Sequence, residues 1–310
     1  MLSLEQILED LKTDRVKKVI LDSDMANEMD DPYALAHCIG SEKIDLLSVN
    51  AAPYHEDGWT THSQGMENSY NLTIDMLERF GKNDGSIPVY RGSDRQFTPD
   101  DGFAPIDSPA ARNIIKTVKE AHEIIYVLGI GCCSNVVSAY LLDPSIADNM
   151  CFIWLGGHLL ENDHCNEFNL RMDYYAGQIL TNSNIPLILL PAAGVNKERG
   201  TQVLVINFPW LDTIKGDKPF YQFLRRDFPI SFIEGDVQAK IPVWKRILWD
   251  VAAPGLITHP EAFVLHKMPV PVFGDDRKYS FDQTRRKVLI MEKLDKDIVL
   301  TDCAEAISNL

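Results

Sequence analysis

Residues 19–35 read VILDSDMANEMDDPYAL. Val19, Ile20 and Leu21 form a short continuous apolar run, the pattern of a buried strand. Four aspartates, Asp22, Asp24, Asp30 and Asp31, crowd the turn that leaves it. Side chains alternate along a strand, so Asp22 and Asp24 point to one side. Pro32 suits the first position of a helix, which makes Asp31 its expected N-cap. Taken singly, each aspartate is ordinary, as a helix cap or a solvated strand end. Together at the carboxyl end of one strand they repel one another, and a cation among them relieves that repulsion. Oxygen-only ligands favour Ca²⁺ or Mg²⁺ over zinc. Open α/β sheets bind ligands at that same end of their strands.

Outward from this turn, apolar runs and helical patterns alternate. Helix Pro32–Ile39 leads to a strand at Ile44–Val49, then to a long polar loop, Asn50–Gly65. A helix over Met66–Phe80 precedes a short strand, Ile87–Tyr90. A helix over Ser108–Ala121 precedes the apolar strand Glu123–Leu128. Ser134 caps a helix to Leu142, and Cys151–Leu155 is the next strand. Met172–Leu180 reads as a helix and Ile185–Leu190 as a strand. The expected fold is α/β: a Rossmann-like, doubly wound, mostly parallel sheet with helices on both faces. Beyond Pro191 the pattern loosens into C-terminal loop and helical insertions. There Phe208–Val237 reads as helical or mobile, Trp244–Leu256 as a helix, and Phe263–Leu265 and Lys287–Met291 as late edge strands. With no internal repeat or low-complexity linker, residues 1–310 are expected to form one domain.

Composition narrows the function. The chain has 310 residues, 45% of them hydrophobic, and a formal net charge of −15. That charge argues against nucleic acid or an anionic membrane surface as partner. No apolar run approaches the roughly 20 residues needed to span a bilayer. Leu4, Ile7, Leu8 and Leu11 recur at helical spacing among acids, so the N-terminus reads as an amphipathic helix and not a signal peptide. Six cysteines show no zinc-like pairing and are expected as buried free thiols in a cytoplasmic protein.

Four segments, in order, carry a family resemblance: DSDMANEMDDPYAL at 22–35, GIGCCSN at 129–135, WLGGH at 154–158 with NEFNLRMD at 166–173, and LWDVAA at 248–253. Together they resemble the inosine-uridine nucleoside hydrolase family over roughly Lys17–His259. The family's aspartate signature is D-x-D-x-x-x-D-D, and this chain's turn is two residues longer. The resemblance implies a Ca²⁺-dependent N-ribohydrolase that frees the base of a nucleoside or related ribosyl compound. It implies Asp24 as the catalytic, water-activating carboxylate and as a metal ligand, with Asp31, Asp250 and the carbonyl of Ile130. It implies Asp30, Glu167 and Asn169 as ribose-hydroxyl binders, with Asn162 and His55 as further substrate contacts. Asp22 is implied as a supporting acid behind the ligands. A homodimer or homotetramer is the implied assembly.

Two rival readings stay open. Glu167 and Asn169 are also what a helix starting near Met172 would use as caps. Family members acting on purines and pyrimidines carry a histidine just before the last aspartate; Trp249 stands there. Indole stacks on a base but cannot protonate it. A drifted, non-catalytic ribosyl binder is therefore one alternative, and His55 or His158 would otherwise have to activate the leaving group. A haloacid-dehalogenase-type phosphohydrolase, suggested by Asp22-x-Asp24, is the other; it leaves Asp30, Asp31 and Asp250 without a role.

Overall fold

The computed structural model describes residues 2–56, 58–231 and 244–310. Strand β1 is Lys17–Ser23, and all but one of its residues are buried. Parallel neighbours lie on both sides: β2 (Ile44–Ala51) and β4 (Ile125–Gly129). A strand so enclosed has no solvent face, which is why its sequence is a continuous apolar run. The remaining main-sheet strands are β3 (Val89–Arg91), β5 (Met150–Leu155), β6 (Leu187–Leu190), β9 (Phe263–Pro269) and β12 (Lys287–Leu294). Small two-stranded pairs form from β7 (Val205–Ile206) with β8 (Arg246–Ile247), and from β10 (Val272–Phe273) with β11 (Tyr279–Ser280).

The sheet runs β3-β2-β1-β4-β5-β6-β12-β9. Chain order reverses between β1 and β4. This is a topological switch point, and loops leaving the two strands diverge there to open a crevice at their carboxyl ends. In register, Asp22 of β1 lies opposite Asn50 of β2 and Gly129 of β4. The acidic turn thus begins at the mouth of the crevice. Two apolar cores cover the sheet, one centred on Leu21, Tyr33 and Leu128, the other on Ile20, Val127 and Trp154.

Helices follow the strands: α1 (Leu4–Leu11), α2 (Asp31–Gly40), α3 (His62–Arg79), α4 (Pro109–Glu120), α5 (Ser134–Leu142), α6 (Phe168–Met172) and α7 (Tyr174–Asn182). Several boundaries differ from the sequence reading. Helix α3 starts at His62, because Thr61 and Gln64 form a reciprocal capping box. The expected helix at Met172 is two helices, broken at Asp173, whose carboxylate caps the second. Asp31 is the first helical residue, not the cap; Asp30 holds the cap position and its side chain makes no capping bond. Both carboxylates are directed elsewhere, as described below. The expected Trp244–Leu256 helix starts only at Ala252 and runs to Thr258, with Asp250 in a tight turn before it. Lys287–Met291 is no edge: β12 pairs parallel with β6 and antiparallel with β9, so of the two late strands β9 is the one at the sheet edge. A C-terminal helix, Lys296–Ser308, completes the fold. Short helical turns account for residues 208–231 in part; the rest of the expected insertion lies outside the described residues. Among the described residues no helix is long and apolar enough to cross a membrane.

Three helices are tied by one carboxylate. Asp302, on the C-terminal helix, lies 2.7 Å from His37 Nε2 near the end of α2 and accepts a 2.5 Å bond from the Thr258 hydroxyl. His37 and Thr258 are both buried. Removing Asp302 would leave the buried His37 Nε2 desolvated and unpaired, at about 1–3 kcal/mol, whereas the Thr258 hydroxyl keeps the carbonyls of Pro254 and Gly255 within reach. Asp302→Ala should therefore lose roughly 2 kcal/mol in denaturant unfolding; an unchanged midpoint would mean that His37 finds another partner.

Candidate active site

At the switch point lies a cavity of about 370 Å³. Its wall crosses the carboxyl ends of four strands. Asp24, Asn27, Glu28, Asp30 and Asp31 come from the turn after β1, Ile130 from the end of β4, Leu155 and His158 from β5, and Ala192 and Ala193 from the loop after β6. Trp249 and Asp250 close it from the helical side, and Glu56, Glu167, Phe168 and Asn169 complete it.

The carboxylates of Asp30, Asp31 and Asp250 offer oxygens that all lie within 4.8 Å of one another, and all three residues are buried. Each is held by local structure. Asp31 accepts a 2.6 Å bond from the Ser23 hydroxyl at the end of β1. Asp30 accepts from the backbone N–H of Asp250 at 3.2 Å, which ties the acidic turn to the start of the Ala252–Thr258 helix. Asp24 sits beside them, and its Oδ2 is buried with no hydrogen-bond partner among the described residues. Gly131 permits this approach, since a Cβ there would come within 3.0 Å of Asp24 Oδ1.

Burial dominates the electrostatics. It lifts Asp24 well above the usual carboxylate range, and the charge of Asp31 adds to the lift. Asp30 is raised the same way, by burial and then by Asp31 and Glu28. Asp250 is raised by burial and by the charges of Asp30, Asp31 and Asp24. Burial takes Asp31 up to about 7 against the hydrogen bond from Ser23. Such a set is unstable as four bare anions. It needs protons or a cation.

The donor set fits a hard cation. It is all oxygen, three carboxylates converge, and a fourth leaves an oxygen unpartnered at the cavity. Ile130 lines the same cavity, and its carbonyl is the candidate fifth oxygen. It accepts one bond from Asn169 Nδ2 at 3.0 Å, which leaves it a lone pair.

The remaining sequence candidates divide. Glu167 lines the cavity and is also the N-cap of α6: Oε1 accepts from Asn169 N–H, and Oε2 from Leu170 and Gly157 N–H. Burial lifts it to about 7 against these bonds. Asn169 spends both amide hydrogens on the carbonyls of Ile130 and Leu155, so only its oxygen remains for a ligand. Trp249 lines the cavity. Asp22 does not; it is fully buried one turn behind and accepts from Asn135 Nδ2. Asn162 and His55 are not in the wall either. The Asn162 amide braces the 193–195 loop through Ala193 O and Val195 N. The His55 ring stacks on His62 at 4.3 Å, and its neighbour Glu56 reaches the cavity instead.

His158 reaches the wall, and its backbone is clamped by the Tyr279 hydroxyl, which accepts from its N–H and donates to its carbonyl. Burial lowers its imidazole to about 4, with a contribution from His164. Asn27, Glu28, Glu56 and Phe168 were not singled out in the sequence. The first two sit inside the lengthened aspartate turn, and that insertion was the signal for them.

A mostly parallel sheet with an acidic, cation-suited cavity at its switch point defines the class. The family model for inosine-uridine preferring nucleoside hydrolases matches residues 19–301, and the chain belongs to this family. It is 22% identical over 210 residues to the pyrimidine-specific ribonucleoside hydrolase RihA of Escherichia coli O127:H6 (strain E2348/69 / EPEC), covering 60% of this chain and 63% of that protein. To RihA of Citrobacter koseri (strain ATCC BAA-895 / CDC 4225-83 / SGSC4696) it is 23% identical over 206 residues, 60% of this chain and 62% of the relative. The match thus spans about three fifths of the length of these curated relatives. The fold resembles the purine-preferring ribonucleoside hydrolase of Gardnerella vaginalis, with a TM-score of 0.71 at 20% identity over 94% of this chain and 98% of that one. It also resembles the plant nucleoside hydrolase PpNRh1, with a TM-score of 0.70 at 18% identity over 94% and 99%.

The raised carboxyl values have a consequence for stability. Between the unfolded carboxylate range near pH 4 and the folded values near 7 for Asp22, Asp31 and Glu167, the cation-free folded chain holds more protons than the unfolded one. Its stability therefore falls as pH rises through that interval. In chelator the melting temperature should drop from pH 5 to pH 8, and added Ca²⁺ should raise it more at pH 8 than at pH 5. A flat profile in chelator would contradict the buried-carboxylate account.

Proposed function

We propose that the chain is a Ca²⁺-dependent N-ribohydrolase that cleaves a nucleoside or related ribosyl compound to free base and ribose. The observation that carries this reading is convergence: Asp24, Asp30, Asp31 and Asp250 share one small cavity with Glu167 and Asn169. Asp24, Asp31, Asp250 and the Ile130 carbonyl would hold the cation. When bound, Ca²⁺ supplies a site that orients a water and a pair of vicinal hydroxyls, because it accepts six to eight oxygens in flexible geometry.

The chain's own residues supply the rest. Asp24 Oδ2, without a partner among the described residues, is placed to accept a proton from the attacking water. Asp30 and Glu167 accept hydrogen bonds from sugar hydroxyls, and the Asn169 oxygen adds a third acceptor. Breaking an N-ribosidic bond builds positive charge on the sugar, and carboxylates already fixed beneath the ring stabilise it without reorganising. Trp249 and Phe168 offer flat apolar faces to the base. Burial disfavours the imidazolium form of His158, and the neutral ring's one N–H is too weak an acid to protonate the leaving group.

This reading takes residues 1–310 as one domain, a homodimer or homotetramer as the assembly, and the cytoplasm as the compartment. The six free cysteines support the last point. The relatives' names span pyrimidine-specific and purine-preferring enzymes, so no base preference is carried over.

A nucleoside panel assayed for free base, with and without chelator, tests the activity; no base from any member would leave the drifted-binder reading. Asp250→Ala should lower calorimetric Ca²⁺ affinity by about tenfold or more while the chain stays folded, and unchanged affinity would remove Asp250 from the ligand set. With no acid at Trp249, rate should depend steeply on the leaving group. A general acid contributes on the order of 10²–10⁴ in rate, so p-nitrophenyl riboside should outrun inosine and uridine by a factor in that range. Equal rates would mean that another acid, with Glu56 the first to mutate, protonates the base.

A further inference from the structure

A second cavity, of about 610 Å³, lies at the opposite end of the sheet. Lys17, where β1 begins, lines it, whereas Asp22 and Ser23, where β1 ends, lead to the acidic cavity. Six residue steps separate the two ends of β1, roughly 20 Å at about 3.3 Å per step.

One half of this cavity is apolar: Leu8 and Leu11 from α1, Ile257 from the Ala252–Thr258 helix, and Phe263 and Leu265 from β9. The other half carries Lys12, Arg15, Lys17 and Lys43, against the acids Asp14 and Glu261. This balance is unusual in a chain of net charge −15. Some of the charges are already answered. Arg15 is paired with Asp10 and Glu123, and Glu261 with His259. Lys17 is different. It is 2% exposed, and its ammonium donates to Thr13 O, Thr13 Oγ1 and Arg15 O, all neutral oxygens. Among the described residues it has no carboxylate within ion-pair distance. Lys43 Nζ donates once, to the Thr258 carbonyl at 2.5 Å, which leaves two of its three hydrogens. Lys12 has no bond to its ammonium among the described residues and is exposed at the rim.

A buried cation is normally balanced by an anion, and a cavity of a few hundred Å³ with an apolar body and a few convergent polar groups is the usual form of a small-molecule site. We infer that this cavity binds a small organic anion, its apolar body against Leu8, Leu11, Phe263 and Leu265 and its phosphate or carboxylate on Lys43 and Lys12. Lys17 contributes field, not a bond, because its three hydrogens are committed. The site does not depend on the reaction proposed above. The acidic cavity would repel the same ligand.

The test uses 1-naphthyl phosphate and 1-naphthoate as anionic probes, and 1-naphthol as their neutral twin, titrated against the full chain by calorimetry. Saturable one-to-one binding of at least one anion is expected, equal in Ca²⁺ and in chelator and weakened by salt. The neutral twin should bind about tenfold more weakly, or worse. Lys43→Met should weaken the anion by about tenfold and Lys12→Gln by roughly threefold, at unchanged melting temperature for the second. The Lys12 ammonium makes no bond among the described residues, so that variant decides the matter if Lys43→Met unfolds. Equal binding of the neutral twin, wild-type affinity in both variants, displacement by Ca²⁺, or no saturable binding of either anion at millimolar concentration would each overturn the site.

Discussion

Mutual repulsion among buried carboxylates is the constraint on which the site depends. Asp24, Asp30, Asp31 and Asp250 are each almost fully buried, yet no lysine or arginine forms an ion pair with any of them among the described residues. Hydrogen bonds from Ser23 and from the Asp250 backbone fix their positions but do not neutralise them. A fold can hold such a group only if its scaffold is rigid and some cationic or protonic species completes it. The central sheet provides the rigidity: β1 is paired on both edges and covered on both faces, so the turn that follows it starts from a fixed point.

The scaffold also explains why Asp250 can serve from so far along the chain. Asp31 begins α2, and Asp250 lies two residues before the Ala252–Thr258 helix, in the tight turn that leads into it, so two acids of the cluster sit near two helix starts. Helix N-termini favour negative charge, worth typically 0.3–1 kcal/mol each. That offsets only part of the repulsion. The far ends of the same two helices are joined through Asp302, which binds His37 on α2 and Thr258 on the other. Separating the acids would therefore require breaking a polar contact at the opposite end of both helices.

Much of this was legible in residue order, for reasons that differ by element. The alternation of apolar runs and helical patterns from Lys17 to Pro191 reports a parallel sheet directly, because the central strands β1, β4, β5 and β6 are buried on both faces while a helix such as α4 buries one. The late strands were harder. Lys287–Met291 follows loop sequence and pairs with β6, nearly a hundred residues earlier, so local pattern could not say that it lies inside the sheet. The Lys296–Ser308 helix was missed although Asp295 caps it and buried residues recur at 299, 300, 303, 304 and 307. Its contribution is long-range, through Asp302, and no neighbouring residue announces it. Asp30 and Asp31 were found as a cluster but misplaced by one position in capping, because cap preference assumes that a carboxylate answers its own helix. Here both answer each other's surroundings instead.

The lengthened turn is where this chain parts from the spacing of its family, and its physical meaning follows from what the two extra residues allow. Asn27 and Glu28 line the cavity, and Glu28 adds to the lift on Asp30. Together Glu28 and Glu56 add two carboxylates to the cavity wall beyond the four aspartates. These carboxylates add negative charge around the cavity, which disfavours a substrate that enters as an anion. Trp249 and Phe168 supply apolar area but no proton, and His158 is neutral. On the proposed reading, selectivity rests on shape and charge around the base, while β1 and α2 hold Asp30 and Asp31 in place.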